Sequence, residues 1–452
     1  MSTIAALATA PGRAALAIIR VSGPASVHIV DSVFSRSIGE APTHTAHVGH
    51  ILDADGKAID QVVVTLFRAP RSATGEDVAE VTTHGGDLAP QLVLRRILDA
   101  GARLAEPGEF TRRGFLNGKL DLAQAEAVAD LIHASSSLAH RVSMSHLRGH
   151  YSDAIRDVRQ RLLSTAALIE LELDFAEEDV EFADKSQLEA LLSETEALLT
   201  SLLGSYRLGA LVRDGVRVVI GGRPNAGKST LLNALVGRDR AIVSDIPGTT
   251  RDEIEAEAEI DGLLFRFVDT AGLRETSDAI EAEGVRRAER SIGTADALLY
   301  VFDATLGLDA GEQDFLSRLA SDQPRLPVVQ IANKIDLVGG VPSGGTALAL
   351  SAGQAGRDPQ ALGALRETLV EEVAGRLDRA QATPIVVNER HRQHLTLALD
   401  AVHRAQGNLH AAGGDTLALD LRVALHELGG ITGEITTEDI LGEIFSRFCI
   451  GK

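Results

Sequence analysis

Short apolar runs separated by turn residues dominate the first 118 positions. The runs at 16–21 and 62–67 are rich in β-branched residues, and Gly, Pro and Asp cluster between such runs. A single stretch, 88–98, instead has its apolar residues at helical spacing. We predict a mixed α+β domain for residues 1–118.

Apolar residues at helical spacing fill two further stretches, which flank the middle of the chain. In residues 119–213, Ser186 and Glu189 have the spacing of a capping box and precede a long leucine stripe. Further stripes follow in residues 378–452. A helix with an apolar face needs a partner that covers it. We therefore expect the two stretches to pack on each other as two halves of one helical domain.

Residues 214–377 alternate apolar β-runs with helical runs, which predicts a mostly parallel sheet with helical crossovers. This α/β segment is expected to be inserted between the two halves of the helical domain. The predicted fold class is therefore multidomain, α/β plus all-α, with the α+β domain at the N-terminus.

Composition narrows the classes of function. The chain carries 44 Lys and Arg against 64 Asp and Glu, a formal net charge of −20, which disfavours non-specific binding to nucleic acid. Contact with RNA must then be local or come through a basic partner. The one cysteine, Cys449, cannot form an intramolecular disulfide, and no apolar run reaches the ~20 residues of a membrane span. The N-terminus lacks a basic leader, so we expect a cytoplasmic protein with no membrane association.

The run 222–229 reads Gly-Arg-Pro-Asn-Ala-Gly-Lys-Ser and lies between a predicted buried strand and a predicted helix. This is the pattern of a phosphate-binding loop in the context that supports it. Backbone N–H groups of such a loop and the helix N-terminus attract phosphate. Lys228 is expected to reach the β- and γ-phosphates, and the Ser229 hydroxyl is expected to bind Mg²⁺.

A second motif distinguishes GTP from ATP. Asn333, Lys334 and Asp336 follow a predicted strand with the N-K-x-D spacing of a base-reading loop. The Asp336 carboxylate can accept hydrogen bonds from the guanine N1–H and 2-amino group, a pair of donors that adenine lacks. Ser351 and Ala352 match the loop that supports the base. The sequence therefore predicts a site for guanine nucleotides.

Two further loops complete the nucleotide site. The run 269–272 matches the loop that senses the γ-phosphate, and Thr250 matches the switch threonine that binds Mg²⁺. Five motifs in this order predict a Ras-like P-loop GTPase domain. The residues assigned to the GTP site are Asn225, Ala226, Gly227, Lys228, Ser229, Thr230, Ser244, Asp245, Ile246, Pro247, Gly248, Thr249, Thr250, Asp269, Thr270, Ala271, Gly272, Asn333, Lys334, Asp336, Ser351 and Ala352.

The residue after the γ-phosphate loop is Leu273, whereas many GTPases place a water-orienting Gln there. Another group must therefore organise the transition state. Asn225 is a candidate to hold a monovalent cation beside the phosphates, and Glu281 is a candidate to position water. From the residues alone, two alternatives are equally good: Asn225 serves only to form a turn, and Glu281 is a solvated acid at the start of a helix. Glu275 and Glu283 also compete for the second role.

The chain resembles the MnmE (TrmE) family of tRNA modification GTPases over its full length. The terminal Phe-Cys-Ile-Gly-Lys run and the Leu-Asp-Leu-Ala-Gln-Ala-Glu-Ala run are more specific to that family than the GTPase loops. The motifs that carry the resemblance lie at 11–13, 74–78, 117–126, 222–229, 247–252, 269–274 and 448–452.

The resemblance implies a GTPase domain inserted in a helical domain and stimulated by K⁺ and by dimerisation of that domain. By position, Asn225 would coordinate K⁺ together with backbone groups around Ser244, Ile246 and Thr249. Glu281 would orient the catalytic water. The residues implied in catalysis are thus Glu281, Lys228 and Asn225, with Ser229 and Thr250 on Mg²⁺.

The resemblance also implies that the N-terminal domain forms a constitutive homodimer and binds 5-formyl- or 5,10-methylene-tetrahydrofolate. The matching positions are Arg20, Glu80, Lys119 and Lys452. A carboxylate suits the donor-rich pterin edge, and Arg or Lys suits the glutamate tail. Cys449 is adjacent in sequence to this set, and we assign it no catalytic role.

The implied function is addition of an aminomethyl or carboxymethylaminomethyl group to C5 of the tRNA wobble uridine, with an FAD-dependent partner (MnmG, also called GidA). The net charge of −20 suits a partner that supplies most of the basic tRNA-binding surface. One alternative is a ribosome-assembly or other RNA-related regulatory GTPase, which would bring a basic RNA-binding module. Another is a folate-dependent transferase whose GTPase domain is only a scaffold, which degenerate GTPase loops would indicate.

Overall fold

The computed structural model describes residues 2–174, 185–237, 255–269, 291–338, 347–355, 362–374, 384–409 and 414–451. The chain forms two compact units. The first unit contains Met1–Ala129, His146–Leu168 and Arg422–Lys452, and the second contains Asp130–Ser145 and Ile169–Leu421.

The described elements are twelve strands, fourteen helices and one short 3₁₀ turn, Ile335–Leu337. The strands are β1 (Ile4–Leu7), β2 (Leu16–Ser22), β3 (Thr45–Leu52), β4 (Ala58–Phe67), β5 (Val78–His84), β6 (Arg103–Leu104), β7 (Val216–Gly221), β8 (Glu255–Ile260), β9 (Leu263–Asp269), β10 (Ala297–Asp303), β11 (Val328–Asn333) and β12 (Leu348–Ala349). The helices are α1 (Ser26–Val33), α2 (Ala89–Asp99), α3 (Glu109–Leu116), α4 (Leu122–His133), α5 (Ser137–Leu147), α6 (His150–Asp174), α7 (Lys185–Asp214), α8 (Lys228–Val236), α9 (Ala310–Asp322), α10 (Ala352–Ala355), α11 (Gly363–Ala374), α12 (Glu389–Asn408), α13 (Gly414–Thr432) and α14 (Glu438–Ser446).

The first unit contains a six-stranded sheet with strand order β3-β4-β5-β2-β1-β6. All neighbouring strands are antiparallel except β1 and β6. Alternate side chains such as Ile19, Val21 and Val81 are fully buried in one core with residues of α1 and α2. This is the period-two pattern of a sheet with one covered face. The α+β prediction and the predicted helix at 88–98 are confirmed.

The first unit also brings together helical residues from distant parts of the chain. Leu122 and Ala125 of α4 are buried in one cluster with Leu441 and Phe445 of α14. The α3 helix, which precedes α4, also packs against α14. Arg159 of α6 forms an ion pair with a glutamate that follows α13. Helices from before and after the GTPase motifs therefore share one packed region.

The second unit contains a six-stranded sheet with strand order β12-β11-β10-β7-β9-β8. Every neighbouring pair is parallel except β8 and β9. The central strands are buried on both faces: in β10, for example, the first six residues are all buried. The prediction of a mostly parallel sheet is confirmed.

Helix α7 leads into this sheet, and it also packs against α12, the helix that follows the sheet domain in the chain. The Ser205 hydroxyl accepts a hydrogen bond from the N–H of Val386 at 2.9 Å, and Arg213 donates to the Val387 carbonyl at 2.7 Å. A Cβ at Gly209 would lie 1.9 Å from the Val386 carbonyl oxygen, so only glycine fits there. The chain segments that enter and leave the sheet are thus held side by side on α7.

The division into compact units passes through α4, α5, α6 and α13. It therefore follows packing rather than the four segment boundaries predicted from sequence, which stay a prediction. Within the described ranges, no helix has both the length and the hydropathy that a membrane span requires.

Candidate nucleotide and folate sites

The phosphate-loop sequence connects β7 directly to α8. Gly222 has φ +132°, and a Cβ there would lie 2.0 Å from the Val301 carbonyl oxygen. Gly227 has φ +97°, and a Cβ there would lie 2.1 Å from Nδ2 of Asn333. Both positions need glycine, because the backbone there has a positive φ and other atoms occupy the space of a Cβ. The strand, loop and helix context predicted from the sequence is confirmed.

Lys228, the first residue of α8, is buried within this loop. Its Nζ donates hydrogen bonds to the carbonyl oxygens of Gly222 at 2.9 Å and Arg223 at 2.8 Å. Ser229 and Thr230 follow on the exposed side of the helix. Asn225 is exposed and has φ +62°, a conformation that asparagine tolerates better than most residues. The loop therefore places one ammonium group inside and polar side chains outside.

The base-reading motif begins at the end of β11. Asn333 is 2% exposed, and its amide joins two other loops of the site. Its Nδ2 donates to the Ala226 carbonyl at 2.8 Å, and its Oδ1 accepts from the Ala352 N–H at 2.8 Å. One buried side chain thus connects the phosphate loop, the base-reading loop and the loop after β12.

Lys334 and Asp336 continue this loop. Lys334 has φ +63°, and its Nζ forms an ion pair with Asp303 at 2.7 Å. Asp336 lies in the 3₁₀ turn and is exposed. A solvent-facing carboxylate on this turn can accept the two hydrogen bonds that guanine offers.

The oxygen-bearing residues predicted for Mg²⁺ fit a hard cation. Ser229 is exposed at the start of α8, and Asp269 ends β9, where its backbone is paired with Ile220 of β7. The described structure therefore places the two motifs on adjacent parallel strands. The side chain of Asp269 and all of Thr250 lie outside the described residues.

Two of the predicted folate residues lie opposite each other on neighbouring strands. Arg20 of β2 and Glu80 of β5 are paired in the sheet register, and Nη2 of Arg20 lies 2.8 Å from Oε1 of Glu80. Each side chain is 23% exposed. The Arg20 guanidinium also lies over the Phe110 ring, 5.8 Å from its centroid. The sheet thus presents one cation and one carboxylate on the face opposite the α1 and α2 core.

The C-terminal run returns to this part of the sheet. Ile450 forms a β-bridge with Pro107, and Gly108 N–H donates to the Cys449 carbonyl at 3.4 Å. Gly451 has φ +98°, and a Cβ there would lie 2.2 Å from the Leu7 carbonyl oxygen. Leu7 pairs with Ile19, the residue before Arg20, so Gly451 packs against the strand position next to Arg20.

Lys119 is placed differently. Its Nζ donates to the Pro70 carbonyl at 3.0 Å, and its stem packs within 3.3 Å of the position that a Gly75 Cβ would occupy. It therefore contacts the loop between β4 and β5, whereas Arg20 and Glu80 lie within strands. Lys452 follows Gly451 directly but is outside the described residues.

Two family profiles match the chain. A profile described as the MnmE helical domain matches residues 122–449, and a profile described as the N-terminus of the GTP-binding protein TrmE matches residues 3–119. This chain belongs to the MnmE (TrmE) family. The resemblance stated from the sequence is thereby confirmed, as is the prediction of a GTP hydrolase.

Relatives in this family match the chain over its full length. The tRNA modification GTPase MnmE of Salinibacter ruber is 61% identical over 456 residues, covering 100% of this chain and 99% of the relative. The proteins of that name from Flavobacterium johnsoniae and Cytophaga hutchinsonii are 43% and 44% identical, covering 100% of this chain and 99% and 98% of their own lengths.

Several residues predicted for the GTP and K⁺ sites of this MnmE family member lie outside the described residues, so the structure does not test them. These are Ser244, Asp245, Ile246, Pro247, Gly248, Thr249, Thr250, Thr270, Ala271 and Gly272. The three candidates for positioning water, Glu275, Glu281 and Glu283, also lie outside the described residues.

Sequence reasoning missed a set of charged residues that supports the phosphate loop. Arg223 donates to the carboxylate of Glu312 and, at 2.9 Å, to the Gly307 carbonyl. Glu312 is 6% exposed and also accepts from the Tyr300 hydroxyl at 3.0 Å. Burial raises the pKa of Glu312, but the hydrogen bonds from Arg223, the Asp309 N–H and Tyr300 outweigh it and leave the pKa below its usual range. Asp309 and Glu312 form a capping box, whose D-x-x-E spacing is the available sequence signal.

Proposed function

We propose that this chain is a K⁺-stimulated GTPase that acts with an FAD-dependent partner on tRNA. The reaction is tetrahydrofolate-dependent addition of an aminomethyl or carboxymethylaminomethyl group to C5 of the wobble uridine. The observation that carries the GTPase part is the Asn333 side chain, which bonds to the phosphate loop and to the Ser351-Ala352 loop at once. The 61% identical relative from Salinibacter ruber is a tRNA modification GTPase by name, which supports tRNA as the substrate.

In this proposal, guanine is selected by the carboxylate of Asp336. Its exposed carboxylate is carried on a turn directly after Asn333, which is tied to the phosphate loop. A nucleotide whose phosphates lie in that loop would bring its base toward this turn. Hydrogen bonds from the guanine N1–H and 2-amino group would satisfy the carboxylate, and an adenine would leave it unpaired.

Hydrolysis in this proposal relies on a cation and an acid rather than on a glutamine. Asn225 is exposed on the phosphate loop in a left-handed conformation, where its carbonyl oxygen can serve as a ligand for K⁺ together with backbone groups at Ser244, Ile246 and Thr249. Bound K⁺ would supply positive charge where the transition state gains negative charge. Glu281 would orient the attacking water, and Lys228 would hold the β- and γ-phosphates.

We propose that the face of the first sheet with Arg20 and Glu80 binds 5-formyl- or 5,10-methylene-tetrahydrofolate, with Lys119 and Lys452 contributing to the site and a homodimer forming through this domain. The packing of Gly451 against Leu7 supports this, because Leu7 pairs with Ile19, the residue before Arg20. Bound folate would supply the carbon that is transferred. Glu80 would accept hydrogen bonds from the pterin edge, and Arg20 would hold Glu80 in place.

The net charge of −20 supports a division of labour in which the FAD-dependent partner provides the basic surface for tRNA. Tight binding of tRNA by the isolated chain, with a steep dependence on salt, would contradict that division. A tRNA substrate and a lone cysteine both suit the reducing cytoplasm, which is the location we propose.

The experiment that tests the whole proposal is deletion of the gene, followed by mass analysis of tRNA wobble uridines. We expect loss of the modified nucleoside, restored by the wild-type gene but not by Asp336→Asn or Arg20→Ala variants. Unchanged wobble uridines in the deletion strain would overturn the proposal. Comparing GTP turnover of the pure chain in K⁺ and in Na⁺ tests the cation separately, and equal rates would remove K⁺ from the mechanism.

A further inference from the structure

The loop that follows β10 makes two contacts with the base-reading loop. The N–H of Ala304 donates to the Asn333 carbonyl at 2.8 Å, which joins the two backbones. One residue earlier, Oδ2 of Asp303 accepts a hydrogen bond from Nζ of Lys334 at 2.7 Å. The Asp303 side chain is 16% exposed and the Lys334 side chain 32% exposed, so the ion pair is partly shielded from solvent.

Lys334 occupies a position where its conformation needs support. Its φ of +63° is the left-handed region, which costs roughly 1 kcal/mol or more for a residue other than glycine. Its carbonyl accepts the Leu337 N–H at 3.0 Å and so closes the turn that carries Asp336. Release of the Lys334 side chain would let this turn relax, and the carboxylate that meets guanine would then lose its fixed position.

Asp303 is itself held in one orientation. Its Oδ1 accepts hydrogen bonds from the Thr305 N–H at 2.9 Å and the Thr305 hydroxyl at 2.7 Å, while its other oxygen faces Lys334. The bond from Lys334, followed by the bonds from Thr305, lowers the pKa of Asp303 to about 2. The carboxylate is therefore ionised over the whole neutral range.

We propose that Asp303 is a positioning residue for guanine recognition, which acts by holding Lys334 and thereby the turn that presents Asp336. This inference rests on the proposed guanine site. It assigns part of the base selectivity to the end of β10, a strand that carries none of the five GTPase motifs read from the sequence.

The test compares the affinities for GDP and for IDP, whose hypoxanthine base lacks the 2-amino group. Because Asp336 reads that group, the ratio of the two affinities reports how firmly the carboxylate is placed. We expect Asp303→Asn to lower the preference for GDP over IDP by about tenfold, the effect of weakening one charged hydrogen bond. The matched control is Asp314→Asn on α9, an exposed acid paired with Arg318, which should leave the ratio unchanged.

A double-mutant cycle separates positioning from a general loss of folding. If Asp303 acts through Lys334, then Asp303→Asn should have little further effect on the ratio in a Lys334→Gln background. Thr305→Val, which removes one of the bonds that orient Asp303, should lower the ratio by a smaller factor and decides the matter if Asp303→Asn does not fold. An unchanged ratio in folded Asp303→Asn, or full additivity with Lys334→Gln, overturns the inference. Failure of the wild-type chain to prefer GDP over IDP would instead contradict the guanine site itself.

Discussion

Asn333 joins the phosphate loop to the loop after β12, and its replacement by alanine would separate them. The substitution removes the bond to the Ala226 carbonyl and the bond to the Ala352 N–H, both at 2.8 Å. Both partners belong to residues that are 2% exposed, so water cannot readily replace the lost amide. The variant therefore leaves one buried acceptor and one buried donor without their present partner.

The magnitude follows from the cost of such groups. An unsatisfied buried polar group costs about 1–3 kcal/mol, so two of them cost about 2–6 kcal/mol. Even 2 kcal/mol corresponds to about a 30-fold change in an equilibrium constant. This cost is divided between the free energy of unfolding and the affinity for nucleotide, because binding must reorder the loops that the substitution releases.

Calorimetric titration with GDP and thermal unfolding would measure the two effects of Asn333→Ala separately. We expect a lower melting temperature and a GDP affinity weakened by about tenfold or more. Asn388→Ala is the matched control, because the Asn388 side chain caps α12 by accepting from the Arg390 N–H. That control should lose about 1 kcal/mol of stability and keep its GDP affinity. Wild-type GDP affinity in a folded Asn333→Ala variant would refute the idea that this side chain organises the site.

Three other predictions test separate parts of the account. Gly451→Ala should displace the C-terminal tail, because the added Cβ would lie 2.2 Å from the Leu7 carbonyl oxygen. We expect weaker tetrahydrofolate binding in a calorimetric titration and unchanged GTP turnover. Wild-type folate affinity would contradict the proposed place of the tail. Glu281→Ala should retain GTP affinity and lose most of its turnover in a phosphate-release assay, and near-normal turnover would return Glu281 to an ordinary surface acid. The pKa of Asp303 is lowered from 3.8 to about 2, so the stabilising effect of the Asp303 carboxylate is complete above about pH 4 and is lost as the pH falls toward 2. The difference in unfolding free energy between wild type and Asp303→Asn should therefore shrink between about pH 4 and pH 2. A constant difference would show that the charge is not responsible.

Local patterns carried much of the correct prediction. The phosphate loop was predictable because its glycines, lysine and serine stand at fixed spacing between a strand and a helix, and the structure places Gly222, Gly227 and Lys228 in that arrangement. The mostly parallel sheet was predictable because strands buried on both faces form continuous apolar runs, as in β10.

Contacts between distant residues were not predictable in the same way. The pairing of Arg20 with Glu80 depends on the register of two strands 60 residues apart, and spacing along the chain does not encode it. The ion pair of Asp303 with Lys334 joins the ends of two parallel strands, and a single acid at a strand end has no periodic signal. The division of the chain into units that cut through helices likewise arises from packing between segments far apart in sequence.

The most direct test of the account is calorimetric titration of the full chain, in Mg²⁺ and K⁺, with GDP and with ADP. The joined loops around Asn333 and the exposed carboxylate of Asp336 predict tight binding of GDP and at least a hundredfold weaker binding of ADP, because a site built to hydrogen-bond a base discriminates strongly against one without the matching donors. Comparable affinities for the two nucleotides would contradict the central claim.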